Sequence, residues 1–121
     1  MIIAVDFDGT ICEHIMFPQI GEEKPNAVKT LKRLKGAGAT IILWTCRSGK
    51  SLQMAKDWLD SRGFVPDKFN ENIDGLDGFF DGPKVVADYY FDDRSFPPFP
   101  GWGEVADAFL PQLPEEEGAV Q

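Results

Sequence analysis

The sequence predicts an α/β domain of three layers, Rossmann-like, with a mostly parallel sheet and helices on both faces. Three observations predict it. The apolar strand candidates are continuous β-branched runs, as expected of strands buried on both faces. They alternate with segments whose apolar residues recur at helical spacing. The order that results, β-α-β-α-β-β-α, is the order that builds parallel sheets.

Ile2 to Val5 is the first strand candidate. Pro25 to Lys35 places Ala27, Val28, Leu31 and Leu34 on one helical face, with Pro25 suited to the first turn and Gly36 and Gly38 to the stop. Thr40 to Trp44 is a second buried strand. Ser51 to Ser61 is a second helix, with Leu52, Ala55, Trp58 and Leu59 on one face and Gly63 ending it. Phe64-Val65 predicts a short third strand, Val85 to Phe91 a fourth, and Trp102 to Leu110 a last helix. Residues 1–110 are expected to form one domain, followed by an acidic tail over 111–121.

A length of 121 residues fits one domain, and an apolar fraction of 43% fits an ordinary core. No apolar run approaches the ~20 residues of a membrane span, and the N-terminus has no basic segment of a signal peptide. A cytoplasmic chain is the expectation. Two cysteines, Cys12 and Cys46, are too few for a disulfide framework. A single histidine, His14, makes a conventional zinc site and a Ser-His-Asp hydrolase poor readings. The net charge of −8 speaks against non-specific nucleic-acid binding, which depends on Lys and Arg contacts to phosphates.

In parallel sheets, ligands bind beyond the carboxyl ends of the strands. There the sequence places Asp6-Phe-Asp8-Gly9-Thr10, then Thr45-Cys46-Arg47-Ser48, then Asp92-Asp93-Arg94, with Lys84 ahead of the late strand. Four carboxylates on one edge repel unless a hard cation neutralises them, and Mg²⁺ takes oxygen ligands. Metal, carboxylate, hydroxyl and lysine together suggest phosphate chemistry. One carboxylate can attack phosphorus. A second can protonate the leaving oxygen and then activate water. A lysine and a hydroxyl can hold the phosphoryl oxygens.

Asp6-Phe-Asp8-Gly-Thr10 after an apolar strand resembles the first signature of the haloacid dehalogenase (HAD) superfamily of phosphohydrolases. Thr45 is similar to the second signature, Lys84 to the third and Tyr89-Tyr-Phe-Asp92-Asp93 to the fourth. The resemblance implies a HAD-like catalytic domain with Asp6 as nucleophile and Asp8 as general acid/base. It implies Mg²⁺ held by Asp6, the Asp8 carbonyl and Asp92, with Asp93 behind them. Thr45 and Lys84 would grip the phosphoryl group. Gly9, Thr10, Cys46 and Arg47 are further phosphate- or substrate-binding candidates.

The implied function is Mg²⁺-dependent phosphomonoester hydrolysis through an aspartyl-phosphate, on a phosphorylated metabolite, sugar or nucleotide. Thr10 to Pro25 and Val65 to Pro83 are both shorter than the about 50 residues of the smallest domains. The sequence therefore looks like a capless member of the superfamily. An open site suits a large substrate, or a small one covered by a partner subunit. Cys12, Glu13, His14 and Phe17 are candidates for a small flap, and Asn70 to Phe80 reads as a substrate rim or a plain connection. Phe96 to Trp102 either meets a covering partner or packs the last helix onto the sheet.

Other readings fit less well. Trp44-Thr-Cys-Arg-Ser-Gly49-Lys50-Ser51 approaches a P-loop, but Trp44 stands where that loop needs glycine. Neither cysteine has an arginine at the spacing a thiol phosphatase needs. A receiver domain uses similar groups in a different order. A binding or regulatory module on the same fold, holding Mg²⁺ and a phosphorylated ligand without turnover, is the alternative kept.

Overall fold

The computed structural model describes residues 1–75 and 82–114. The elements are β1 (Ile2–Val5), α1 (Ala27–Gly36), β2 (Thr40–Leu43), α2 (Gly49–Ser61), β3 (Lys68–Phe69), β4 (Tyr89–Phe91) and α3 (Trp102–Phe109), with a 3-10 turn at Leu110–Gln112. The four strands form one sheet in the order β3-β2-β1-β4, and every pairing is parallel. The fold is the Rossmann-like α/β class that the alternation of elements predicts. No cap domain is present among the described residues.

The strand order decides the layers. The chain steps from β1 to β2 to β3 in one direction, so the right-handed crossovers put α1 and α2 on the same face. Ile3, Val5, Ile41 and Leu43 point to that face and pack with Leu31 and Leu34 of α1, Ala55 and Leu59 of α2, and Trp102 and Val105 of α3. Alternation along the strands sends Ala4 and Ile42 the other way. They meet Val85, flanked by Ile73 and Ala87 of the β3–β4 connection. The three α-helices thus share one face. The third layer, as far as it is described, is irregular chain where the sequence suggested helix.

Two strands begin later than their apolar runs. Gly63, at φ +81°, ends α2 with Phe64 folded back into the core. Phe64 N–H donates to the Leu59 carbonyl, so it belongs to the helix end and not to the sheet. Pairing with β2 starts only at Asp67, whose N–H and carboxylate both bond Ile41. In the late segment, Val85 is spent covering the second face, and the ladder begins near Asp88, which bonds Ile2 twice.

The run from Phe96 to Trp102 packs the last helix. Phe91, Phe99, Trp102 and Phe109 form a cluster of edge-on and tilted rings with centroids 5.0–5.9 Å apart. Phe96 stands apart and is 98% exposed. The folded part runs past residue 110, because Leu110 and Leu113 pack on the core. The rest of the expected acidic tail, 115–121, lies outside the described residues. No helix among those described is long and apolar enough to cross a membrane.

Candidate active site

The parallel register carries the ends of β1, β2 and β4 to one edge. Val5 pairs with both Leu43 and Phe91, so Asp6, Thr45 and Asp92 leave the sheet side by side. Asp6 N–H is the last rung, donating to the Phe91 carbonyl at 2.9 Å. A cavity of about 210 Å³ opens there. Asp6, Asp8, Thr45, Cys46, Arg47, Asp92 and Asp93 line it, joined by Arg94 and by His14, Ile15 and Phe17 from the loop after β1.

Asp6, Asp92 and Asp93 each offer a carboxylate oxygen, and the three oxygens lie within 4.8 Å of one another. No cationic side chain is paired with them among the described residues. Burial, then a hydrogen bond with Asp93, then the charges of Asp92 and Asp93 push the Asp6 carboxyl up to about 7; the Phe7 backbone N–H acts in the opposite sense. A site that favours a proton on Asp6 also favours a divalent cation, which relieves the same repulsion. The all-oxygen donor set suits Mg²⁺.

Thr10 organises this cluster. Its hydroxyl lies 3.2 Å from Asp6 Oδ2 and 3.3 Å from Asp93 Oδ1, and it accepts the Asp93 N–H at 3.0 Å. The Thr10 carbonyl in turn accepts from the Trp102 indole at 2.8 Å. Gly9 sits beside Asp93 at φ +90°, where a Cβ would lie 2.6 Å from Asp93 Oδ2. Both residues line a neighbouring cavity and not this one, so their role here is to place Asp93.

Asp8 has a different partner. Both of its oxygens accept from Arg47, Oδ2 from Nε and Oδ1 from Nη2, each at 2.8 Å. The other Arg47 N–H groups donate to the carbonyls of Pro18, Gln19 and Ser51 at 2.9–3.3 Å. All five guanidinium donors are therefore used within the protein, and the side chain is fully buried. Arg47 was expected to reach the substrate. As placed, it has no donor left for a phosphate.

Lys84 also departs from expectation. It is exposed, with Nζ 5.2 Å from the centroid of the Tyr90 ring, and it does not line the cavity. Arg94 is the cation at the cavity that carries no ion pair among the described residues. Cys46 is an exposed thiol at the cavity, whereas Cys12 is core and not flap. Burial and the nearby Asp8 push the Cys12 thiol up to about 11, so it stays protonated.

The loop after β1 forms the expected flap. It is closed at its base by Glu13 N–H to Glu22 and Lys24 N–H to Ile11, and Glu13 pairs with Lys24. Its tip, Ile15 to Phe17, is exposed. Sequence reasoning placed Asn70 at the start of a substrate rim and missed its positioning role. This residue sits at φ 54°, accepts the Thr45 N–H at 2.7 Å and donates to the Arg47 carbonyl at 3.0 Å. It thereby holds the Thr45 loop in shape. Asn70 follows the observed β3 directly but lies five residues past the strand candidate Phe64-Val65, so no local signal marked it. The rest of the expected rim, from residue 76 onward, lies outside the described residues.

Fold and site together define a small α/β protein with an open, acidic cavity at the carboxyl edge of a parallel sheet. The solved structure of a conserved protein from Bacteroides thetaiotaomicron is similar, with a TM-score of 0.84 and 40% identity over 93% of this chain and 91% of that one. The chain belongs to the family of that conserved protein. No family model and no curated protein matches it.

Proposed function

We propose that this chain is a Mg²⁺-dependent phosphomonoesterase of the haloacid dehalogenase superfamily, working through an aspartyl-phosphate on Asp6. The observation that carries the reading is the convergence of Asp6, Asp92 and Asp93 within 4.8 Å, in one cavity with Asp8 and Thr45. Asp6, Asp92 and Asp93 are the residues that would hold Mg²⁺. When bound, the ion offsets their charge and that of the phosphoryl oxygens.

In this reading the Asp6 carboxylate attacks phosphorus and the bond to the leaving oxygen breaks; Asp8, protonated at a lone pair that Arg47 leaves unused, gives that oxygen its proton. Asp8 then takes a proton from water as water attacks the aspartyl-phosphate, which releases inorganic phosphate and restores Asp6. The Thr45 hydroxyl accepts the Arg47 backbone N–H at 3.2 Å, which leaves its proton free for a phosphoryl oxygen. Arg94, from its place at the cavity, is the cation among the described residues available for the phosphate. The net charge of −8 favours a phosphorylated small molecule over a nucleic acid.

The test is hydrolysis of an aryl phosphate with and without Mg²⁺, wild type beside Asp6→Asn. Mg²⁺-dependent release that disappears in the variant supports the reading. A folded wild type that binds Mg²⁺ and phosphate without release turns it toward a binding module.

A further inference from the structure

Arg47 is the largest fully buried side chain among the described residues, and it is a cation. Its place is over-determined. The guanidinium carbon lies 5.4 Å from the Phe7 ring centroid and 5.2 Å from that of Phe17. Phe7 is core, whereas Phe17 is at the flap tip. Two of the five N–H groups bond flap carbonyls, of Pro18 and Gln19, and a third bonds Ser51 in the first turn of α2. The remaining two hold Asp8 in a planar fork, the geometry in which an arginine most tightly fixes a carboxylate. Among the described residues the Asp8 side chain makes no hydrogen bond to the flap itself, so its tie to the flap runs through this one side chain.

We propose that Arg47 is a positioning residue that fixes the Asp8 carboxylate and ties the 13–22 flap to it, so that the wall of the cavity and the proton-handling group keep one geometry. The role of Asp8 as proton donor rests on the phosphatase reading; the tie does not. The geometry also explains why a guanidinium is used. A lysine could reach Asp8 or a flap carbonyl, but it lacks the planar fork that serves both at once.

The experiment has two arms on the full chain, with Asp8→Asn and Arg47→Lys beside wild type. The first is amide hydrogen exchange at Glu13 and Gln19, whose N–H groups are bonded within the flap. Both variants are expected to speed exchange there by about tenfold or more while β1 and β2 stay protected. Unchanged flap exchange in both variants overturns the tie, whatever the activity. The second arm is kcat for an alkyl phosphate and for nitrophenyl phosphate, whose leaving group needs no proton. Arg47→Lys is expected to lose about a hundredfold on the alkyl ester and under about tenfold on the aryl ester. Equal losses on both assign Arg47 to packing alone and overturn its action through Asp8. A wild type inactive on both esters, with Mg²⁺ present, removes the phosphatase reading and leaves the exchange arm to decide the tie.

Discussion

Asp8 gives both carboxylate oxygens to Arg47 at 2.8 Å, while Asp6, two residues earlier, faces Asp92 and Asp93 with no cation beside it. The two acids leave the same strand, and the chain neutralises one and leaves the other to be neutralised from outside. A carboxylate satisfied by a built-in guanidinium contributes to the fold and keeps its orientation. A carboxylate crowded by two others opposes the fold and is available to a ligand. The difference separates the part of this edge that holds structure from the part that, on the proposed reading, takes up an ion.

The largest expected effect breaks the Asp6 side of that comparison. On the proposed mechanism Asp6→Asn removes the attacking oxygen, and kcat for an aryl phosphate should fall by at least about a thousandfold. The same change removes one charge from the crowded cluster, so the protein should be at least as stable as wild type in urea. Loss of stability together with activity would mean that Asp6 is a structural acid. On the Asp8 side the sign reverses. Arg47→Met strands a partly buried carboxylate and should cost about 3 kcal/mol in urea unfolding, the low end for a broken buried pair because Asp8 keeps some exposure. A cost under about 1 kcal/mol, the range of exposed pairs, would refute the distinction.

A smaller effect tests how the cluster is held. Gly9 is at φ +90° with Asp93 against its Cα, so Gly9→Ala combines a left-handed strain with a 2.6 Å contact to Asp93 Oδ2. A cost of about 2 kcal/mol is expected. Mg²⁺ affinity, followed by the rise in Tm on adding the ion, should weaken as well. Intact Mg²⁺ affinity would show that Asp93 is dispensable to the cluster.

The sequence made the sheet edge legible because strand, helix and turn signals are local. An apolar run that stops at Asp6 or Asp92 announces a strand end, and parallel topology does the rest. What stayed hidden depends on pairing across the chain. The start of β3 is set by Asp67 bonding Ile41, not by the apolar character of Phe64 and Val65. The role of Arg47 is set by Asp8 and by the Pro18 and Gln19 carbonyls, partners that no local pattern announces. Lys84 was readable as a cation before the last strand, but its resting place over Tyr90 follows from the path of an irregular crossover.

The smallest expected effect concerns protons on the unpaired side. The Asp6 carboxyl is at about 7 in the folded chain against 3.8 for the free group. Between those values the folded chain holds a proton that the unfolded chain has released. Stability from this source is therefore fully present below about pH 4 and is lost as pH rises through 7. Solvent reaches part of Asp6, so the loss is on the order of 1 kcal/mol and not the full shift. Metal-free wild type should melt about 4 °C lower at pH 8 than at pH 5, and Asp6→Asn should flatten that slope. Mg²⁺ competes with the same proton, so its stabilising effect should grow as pH rises over this range. A slope that survives in Asp6→Asn would assign the pH dependence to the general acidity of the chain, and the contrast between Asp6 and Asp8 would lose its electrostatic basis.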